Sequence, residues 1–337
     1  MIPRQDCVVR SALVLFALGG VAAAAGRVVR IEQPPRREVF VPAGTFLMGV
    51  AEDDVDMLVQ RCNEYFEPHE ITQFLGPGGT PTSFCEMFHD ELEAMAPRQV
   101  FVSAFAIDRD EVTVADYRAC VAAGECALDP LISGDERYIH DEWPLVNVTW
   151  NEAGDYCRWR GGRLPTEAEW ERAARGDSDG PWPWCSEADH GCVERPADFN
   201  HGQARAQSMR EVDRTSGVIP FHLMGDPDDV DGSVLLARPG SYPWGDGPYG
   251  TRDQAGNVAE WTADARSDHD ATLGYKGLPP INPRRDGTGT DARVVRGGSW
   301  REPPFVARAN VRDPFNLEYE PDRRFSHIGF RCARSIN

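Results

Sequence analysis

No cysteine lies between Ser299 and Arg331, the stretch that follows "RVVRGGSW" at residues 293–300. Paired glycines before Ser299 and Trp300 suggest close backbone packing around a functional loop, and the missing thiols exclude a cysteine nucleophile or a thiolate metal site in it. Basic residues are also scarce: 35 Lys and Arg stand against 54 Asp and Glu, a formal charge of −19. Nucleic acid is excluded as a partner, because phosphate binding needs a basic face. Long apolar runs are absent beyond residue 25, so the mature chain is expected to have no membrane span. The histidines show neither H-x-x-x-H nor H-x-E-x-H spacing, which gives no metal cluster; His89 and His140, in "HDE" strings, read as surface residues. With no internal repeat and no linker-like break, one domain over residues 36–337 is expected.

The apolar stretch that is present, "SALVLFALGGVAAAA" at residues 11–25, follows Arg4 and Arg10 and ends in A-x-A cleavage patterns. It reads as a secretory signal peptide over residues 1–25, which predicts an exported protein, whether periplasmic, cell-surface or secreted. Its removal takes Arg4, Asp6 and Arg10 with it and leaves −20. It also removes Cys7, and eight of nine cysteines remain, an even number suited to an oxidising compartment. Cys120 with Cys126 and Cys185 with Cys192 each close a short loop containing glycine, and elimination suggests Cys62 with Cys85.

Three capping boxes mark helix starts: Thr113 with Asp116, Thr149 with Glu152 and Thr166 with Glu169. The third predicts a helix over 167–175, stopped by Gly176. "EVFVPAGTFLMG", "QVFVSAFAID" and "RVVRGGSW" read as short strands, whereas residues 177–256 are aperiodic and rich in Gly, Pro, Asp and Trp. Loops this long inside a compact domain need disulfides, ions or aromatic plugs. "DPDDVDG" is not an EF-hand loop, because Gly232 as sixth residue places Pro227 first and Arg238 twelfth. "NVT" at residue 147 matches a glycosylation pattern in a core-facing approach to a helix.

Taken in order, "FLMG" (46–49), "IDRDEVTVADY" (107–117), "PLVNVTWNEAGDYCRWRGGRLPTEAEWERAARG" (144–176), "DQAGNVAEWTAD" (253–264), "RVVRGGSW" (293–300) and "GFRCAR" (329–334) resemble the landmarks of the formylglycine-generating enzymes, the sulfatase-modifying factors. The resemblance covers nearly the whole mature chain. It implies a single α+β domain of elaborated C-type-lectin-like topology, low in regular secondary structure, with structural calcium. It also implies a disulfide between Cys157 and Cys332. Calcium would fall on Asp253, the carbonyls of Gly256 and Val258, and Glu260; a second site would fall on Asp198, the Phe199 carbonyl, Asp231 and the Ser233 carbonyl.

Formylglycine-generating enzymes oxidise a sulfatase cysteine with oxygen through two cysteines that bind copper(I) just after "GGS". That pair is missing here, so copper is not expected. A further family disulfide would fall at Ala174 and Ala309 and is missing as well. Family relatives without the cysteine pair include periplasmic proteins of siderophore maturation, which are linked to a glutamate, and sulfoxide synthases, whose iron-binding histidines sit on an extra helical domain that this chain lacks. Aligned from Ser299, Glu302 falls at the place of the first cysteine. An exposed Glu302 paired with Arg301 is the expected arrangement; a partly buried one would serve as a base, with Ser299 or Trp300 positioning a substrate. The expected function is binding of a peptide, protein or small-molecule ligand without redox chemistry. The alternatives are a copper-independent modifying enzyme with Glu302 as base, and formylglycine formation by a non-cysteine route.

Overall fold

The computed structural model describes residues 33–66, 74–75, 81–82, 84–132, 136–185, 192–194, 199, 231–233, 235–266, 274–314 and 319–336. The signal-peptide reading, Asp198 and most of "DPDDVDG" lie outside these residues.

Local signals set the helices. In α3 (Val114–Ala122), α5 (Trp150–Trp159) and α6 (Glu167–Arg175) the threonine at the N-cap accepts from the backbone N–H three residues on, and the acidic residue there accepts from the threonine N–H. Thr149, the last residue of the "NVT" pattern, is therefore occupied as a cap, and Asn147 is half-buried with φ +57°. Gly176 ends α6 with φ +65° and ψ −131°, a positive φ outside the left-handed helical region, while its N–H reaches Arg172 O at 2.8 Å. Two further helices are α1 (Glu52–Phe66) and α2 (Phe84–Ala94). An acidic first turn, Glu52 to Asp54, is the start signal in α1. A short α4 (Asp129–Ile132) completes the set.

The strands are short and fall into separate small sheets. "QVFVSAFAID" breaks at Ser103–Ala104 into β5 (Arg98–Val102), paired with β2 (Gly44–Met48), and β6 (Phe105–Asp108), which lies between β1 (Glu38–Val41) and β10 (Ala333–Ser335). β3 (Phe74–Leu75) and β4 (Pro81–Thr82) form a minimal pair. Inward residues of these sheets, among them Phe46, Met48, Val100, Val102, Phe105 and Ile107, meet Leu58, Phe88 and Leu92 of α1 and α2 in one core. A disulfide between Cys62 and Cys85 joins those two helices.

The second core is built on β7 (Ala259–Ala265), which pairs antiparallel with β8 (Arg293–Arg296) and parallel with β9 (Ile328–Gly329). β7 alternates Ala259, Trp261, Ala263 and Ala265 with Glu260, Thr262 and Asp264, yet all seven residues are buried, and the sequence reading placed no strand there. Trp261, Tyr319, Phe325 and Phe330 pack with Tyr117 and Tyr156 of α3 and α5. Disulfides join Cys120 to Cys126, Cys185 to Cys192, and Cys157 on α5 to Cys332 beside β10.

Helix α6 is polar in sequence yet buried at every position. Burial of charged side chains is tolerated only with partners. Glu171 accepts from Gly49 N at 2.9 Å and pairs with Arg175 and Arg296, while Glu167 pairs with Arg312 and Arg296. Burial works to raise the Glu167 carboxyl, and Arg312 and Arg296 overcome it, holding it below the usual carboxylate range. Among the described residues no helix is long and apolar enough to cross a membrane.

Candidate functional site

The loop after β8 turns on two glycines. Gly297 has φ +98°, and a Cβ there would lie 3.0 Å from the Trp170 ring; Gly298 has φ +62°, and a Cβ would lie 2.8 Å from Ala307 Cα. The chain can therefore fold tightly against α6 and against the short 3-10 turn Pro304–Ala307. Trp300 is anchored through its backbone N–H to Asn257 O at 2.9 Å and packs near Tyr138, with ring centroids 6.0 Å apart. That contact ties the "GGS" loop to the "DQAGNVAEW" turn.

Glu302 is not the exposed loop residue expected from the sequence: its side chain is 0% exposed. The turn after Ser299, closed by Glu302 N to Ser299 O at 3.1 Å, points the carboxylate inward. There it accepts from the Ser299 hydroxyl and from Arg301 Nε at 3.2 Å. Burial raises the Glu302 carboxyl, with Arg301 and Ser299 working against it.

Three residues that the sequence reading missed complete the cluster. Asp313 is held at β8 by its N–H to Val295 O at 3.1 Å; Tyr319 is held there by Arg293 N to Tyr319 O at 2.8 Å; His327 is held at β7 by Ala259 N to His327 O at 2.9 Å. The three-stranded sheet thus brings together residues far apart in sequence. Tyr319 Oη lies 3.2 Å from Asp313 Oδ1, to which it donates, and 3.1 Å from His327 Nε2. His327 Nε2 also lies 3.3 Å from Arg301 Nη2 and 3.6 Å from Glu302 Oε1. Burial and Arg301 push the His327 imidazole well below its usual value and keep it neutral. The absence of a histidine metal spacing in the sequence therefore gave an incomplete picture: one ligand atom each from Glu302, Asp313 and His327 lie within 4.8 Å of one another. His89 forms a similar, less buried group with Asp90 and Glu93 on α2.

In the "DQAGNVAEW" turn, Asp253 and Asn257 adopt positive φ, +54° and +60°. Asp253 accepts from Gly240 N, and burial raises its carboxyl to about 7. Glu111, which accepts from Asn257 Nδ2 at 3.0 and 3.1 Å, is raised well above the carboxylate range by burial and by the charge of Asp253. Glu260 receives Arg331 on both oxygens, at 2.6 to 2.9 Å, and Trp170 Nε1 at 2.8 Å. Three buried acids thus share one arginine, a charge balance that fits a bound dication, but a cation on Glu260 has to compete with Arg331.

Of the residues mapped to a second calcium site, Phe199 is buried in a stack with Trp182 and Trp184, and Asp231 accepts from Ser233 N at 2.9 Å in a local turn. Beside Glu111 a charged cleft of about 360 Å³ is lined by Asp108, Asp110, Tyr156, Arg160, Arg238 and Arg252, among others. Every cysteine among the described residues is in a disulfide. Ala174 and Ala309, at the places of the missing family disulfide, pack together with Trp170.

The sequence pattern of the sulfatase-modifying factor enzyme 1-like domain matches residues 25–336. The chain belongs to this family. Among family relatives it is similar to the formylglycine-generating enzyme of Thermomonospora curvata, 36% identical over 56% of this chain and 55% of that protein. It is 34% identical to the inactive C-alpha-formylglycine-generating enzyme 2 of Mus musculus, over 58% of this chain and 50% of that one. The chain thus spans about half the length of these curated relatives. The solved structure of PvdO from Pseudomonas aeruginosa superposes with a TM-score of 0.57 at 26% identity, covering 89% of this chain and 94% of that one. The chain therefore has the family's α+β fold, with a buried carboxylate–histidine cluster around Glu302 of the loop after "GGS".

Proposed function

We propose that this member of the family is an exported binding protein that holds a peptide or small ligand and does not oxidise cysteine through a copper–thiol centre. The observation that carries this reading is Glu302, buried and ion-paired in the loop where the family places its first thiol. Soft copper(I) selects thiolates, and the carboxylate and imidazole donors here are of the wrong kind. Four disulfides suit an oxidising compartment, in keeping with export and with removal of residues 1–25. The charged cleft of about 360 Å³ has the size of a small-ligand site. Incubating the protein with a sulfatase-motif peptide, oxygen and copper should leave the peptide cysteine unchanged by mass spectrometry. Conversion to formylglycine would reject the reading and favour a non-cysteine route.

A second reading, a copper-independent modifying enzyme with Glu302 as base, is favoured by the raised Glu302 carboxyl beside a neutral His327. It requires turnover that disappears in Glu302→Gln while substrate binding persists.

Structural calcium belongs to the same proposal, held by Asp253, the Gly256 and Val258 carbonyls and Glu260. The excess buried acid around Arg331 supports it. Transfer from millimolar calcium into a chelator is expected to lower Tm by about 4 °C, the shift that loss of a ligand at about 100 times its Kd produces in a domain of this size. An unchanged Tm would assign the turn to hydrogen bonding and Arg331 alone.

A further inference from the structure

We infer that Glu302, Asp313 and His327 form a site for a divalent first-row transition-metal ion, with Arg301 as a displaceable plug. Their ligand atoms lie within 4.8 Å of one another, close enough for one ion to touch all three. Two carboxylates and an imidazole suit zinc, cobalt, manganese or iron(II) rather than copper(I). Backbone hydrogen bonds to β7 and β8 hold Asp313 and His327 in place, so little ordering is left for the metal to impose.

A second observation points the same way. A cationic group already bridges two of the three residues: the Arg301 guanidinium lies 3.2 Å from Glu302 Oε1 and 3.3 Å from His327 Nε2. It is also the member of the cluster nearest solvent, its side chain 7% exposed where Glu302 and His327 are at 0%. Withdrawal of Arg301 therefore opens a path and frees both ligands in one movement. Tyr319 Oη, within 3.2 Å of Asp313 and His327, stands where it can donate to a ligand oxygen or meet a metal-bound water.

The inference rests on the reading that this loop is not a thiol–copper centre, and the two fail in different experiments. Untagged protein carrying His89→Ala, which removes the surface trio on α2, is titrated with Co²⁺ in millimolar calcium and followed by visible absorption. One Co²⁺ per chain with a visible ligand-field band is expected, bleached by Zn²⁺ and lost in His327→Gln. Arg301→Gln is expected to tighten Co²⁺ binding about tenfold or more, because it removes a like charge a few ångströms from the metal. A merely structural cluster gives the opposite sign, a less stable Arg301→Gln protein with no band. That result, or a band that survives His327→Gln in folded protein, overturns the metal site and leaves the ligand-binding reading intact. Formylglycine formation overturns the latter and leaves the Co²⁺ band standing.

Discussion

Replacing Arg296 with alanine is expected to cost about 3–5 kcal/mol of folding stability, the cost of removing one member of a buried ion-pair network. Arg296 is 0% exposed and sits over the Trp170 ring, its guanidinium shared among Glu167, Glu171 and the Ala309 carbonyl. Removing it leaves Glu171 with Arg175 and Gly49 N and Glu167 with Arg312 and the Tyr275 hydroxyl, one arginine each, both acids fully enclosed by protein. Neither carboxylate can reach water to recover the lost hydration. Arg163→Ala is the contrasting case, because the Arg163–Glu169 pair lies partly open to solvent and its loss should cost less than about 1 kcal/mol. Urea denaturation of the two variants checks this. Equal midpoints would show that the α6 network is relaxed or hydrated in solution.

Loss of the disulfide between Cys157 and Cys332 is expected to have an effect of similar size. It closes a loop with a sequence separation of 175, for which the chain-entropy model gives about 5 kcal/mol, against about 2 for the separation of six between Cys120 and Cys126. Both sulfurs of the long bridge are buried among Tyr156, Phe330 and the residues of β7, so alanine replacements also leave unfilled volume. The Cys157→Ala/Cys332→Ala protein should therefore melt well below the Cys120→Ala/Cys126→Ala protein. The reverse order would mean that the unfolded chain is already compacted across the long loop.

What the sequence made legible was local. Thr166 and Glu169 announced α6 to within a residue, and short glycine-containing loops marked two disulfides, because these signals depend on neighbours a few residues apart. β7 was not read as a strand although "AEWTADA" alternates, because Ala, Glu and Asp are weak strand formers and its polar face is buried against partners instead of facing water. Helices α1 and α2 were likewise missed: Ala51, ahead of α1, has no capping side chain, and the Ser83-x-x-Glu86 spacing ahead of α2 went unread. At the candidate site, Ser299, Trp300 and Glu302 could be named from the glycine frame and the family resemblance. Their surroundings could not be read, because Asp313, Tyr319 and His327 reach Glu302 only through the pairing of β8 and β9 with β7. No spacing rule connects "HIGFRC" to a glutamate 25 positions earlier, and the inward turn of Glu302 depends on a hydrogen bond within its own loop.

The placement of β10 has a consequence for biosynthesis. β6 takes β1 on one edge early, but its other edge is completed by residues 333–335, and Asp108 accepts from the N–H of Cys332. At about 5–20 residues per second, the ribosome takes roughly 10 to 45 s to deliver that strand after β6 has emerged. Throughout that interval Phe105 and Ile107 belong to a sheet with one bare edge, open to pairing with any extended segment nearby. Completion of this sheet therefore waits for residues 333–335.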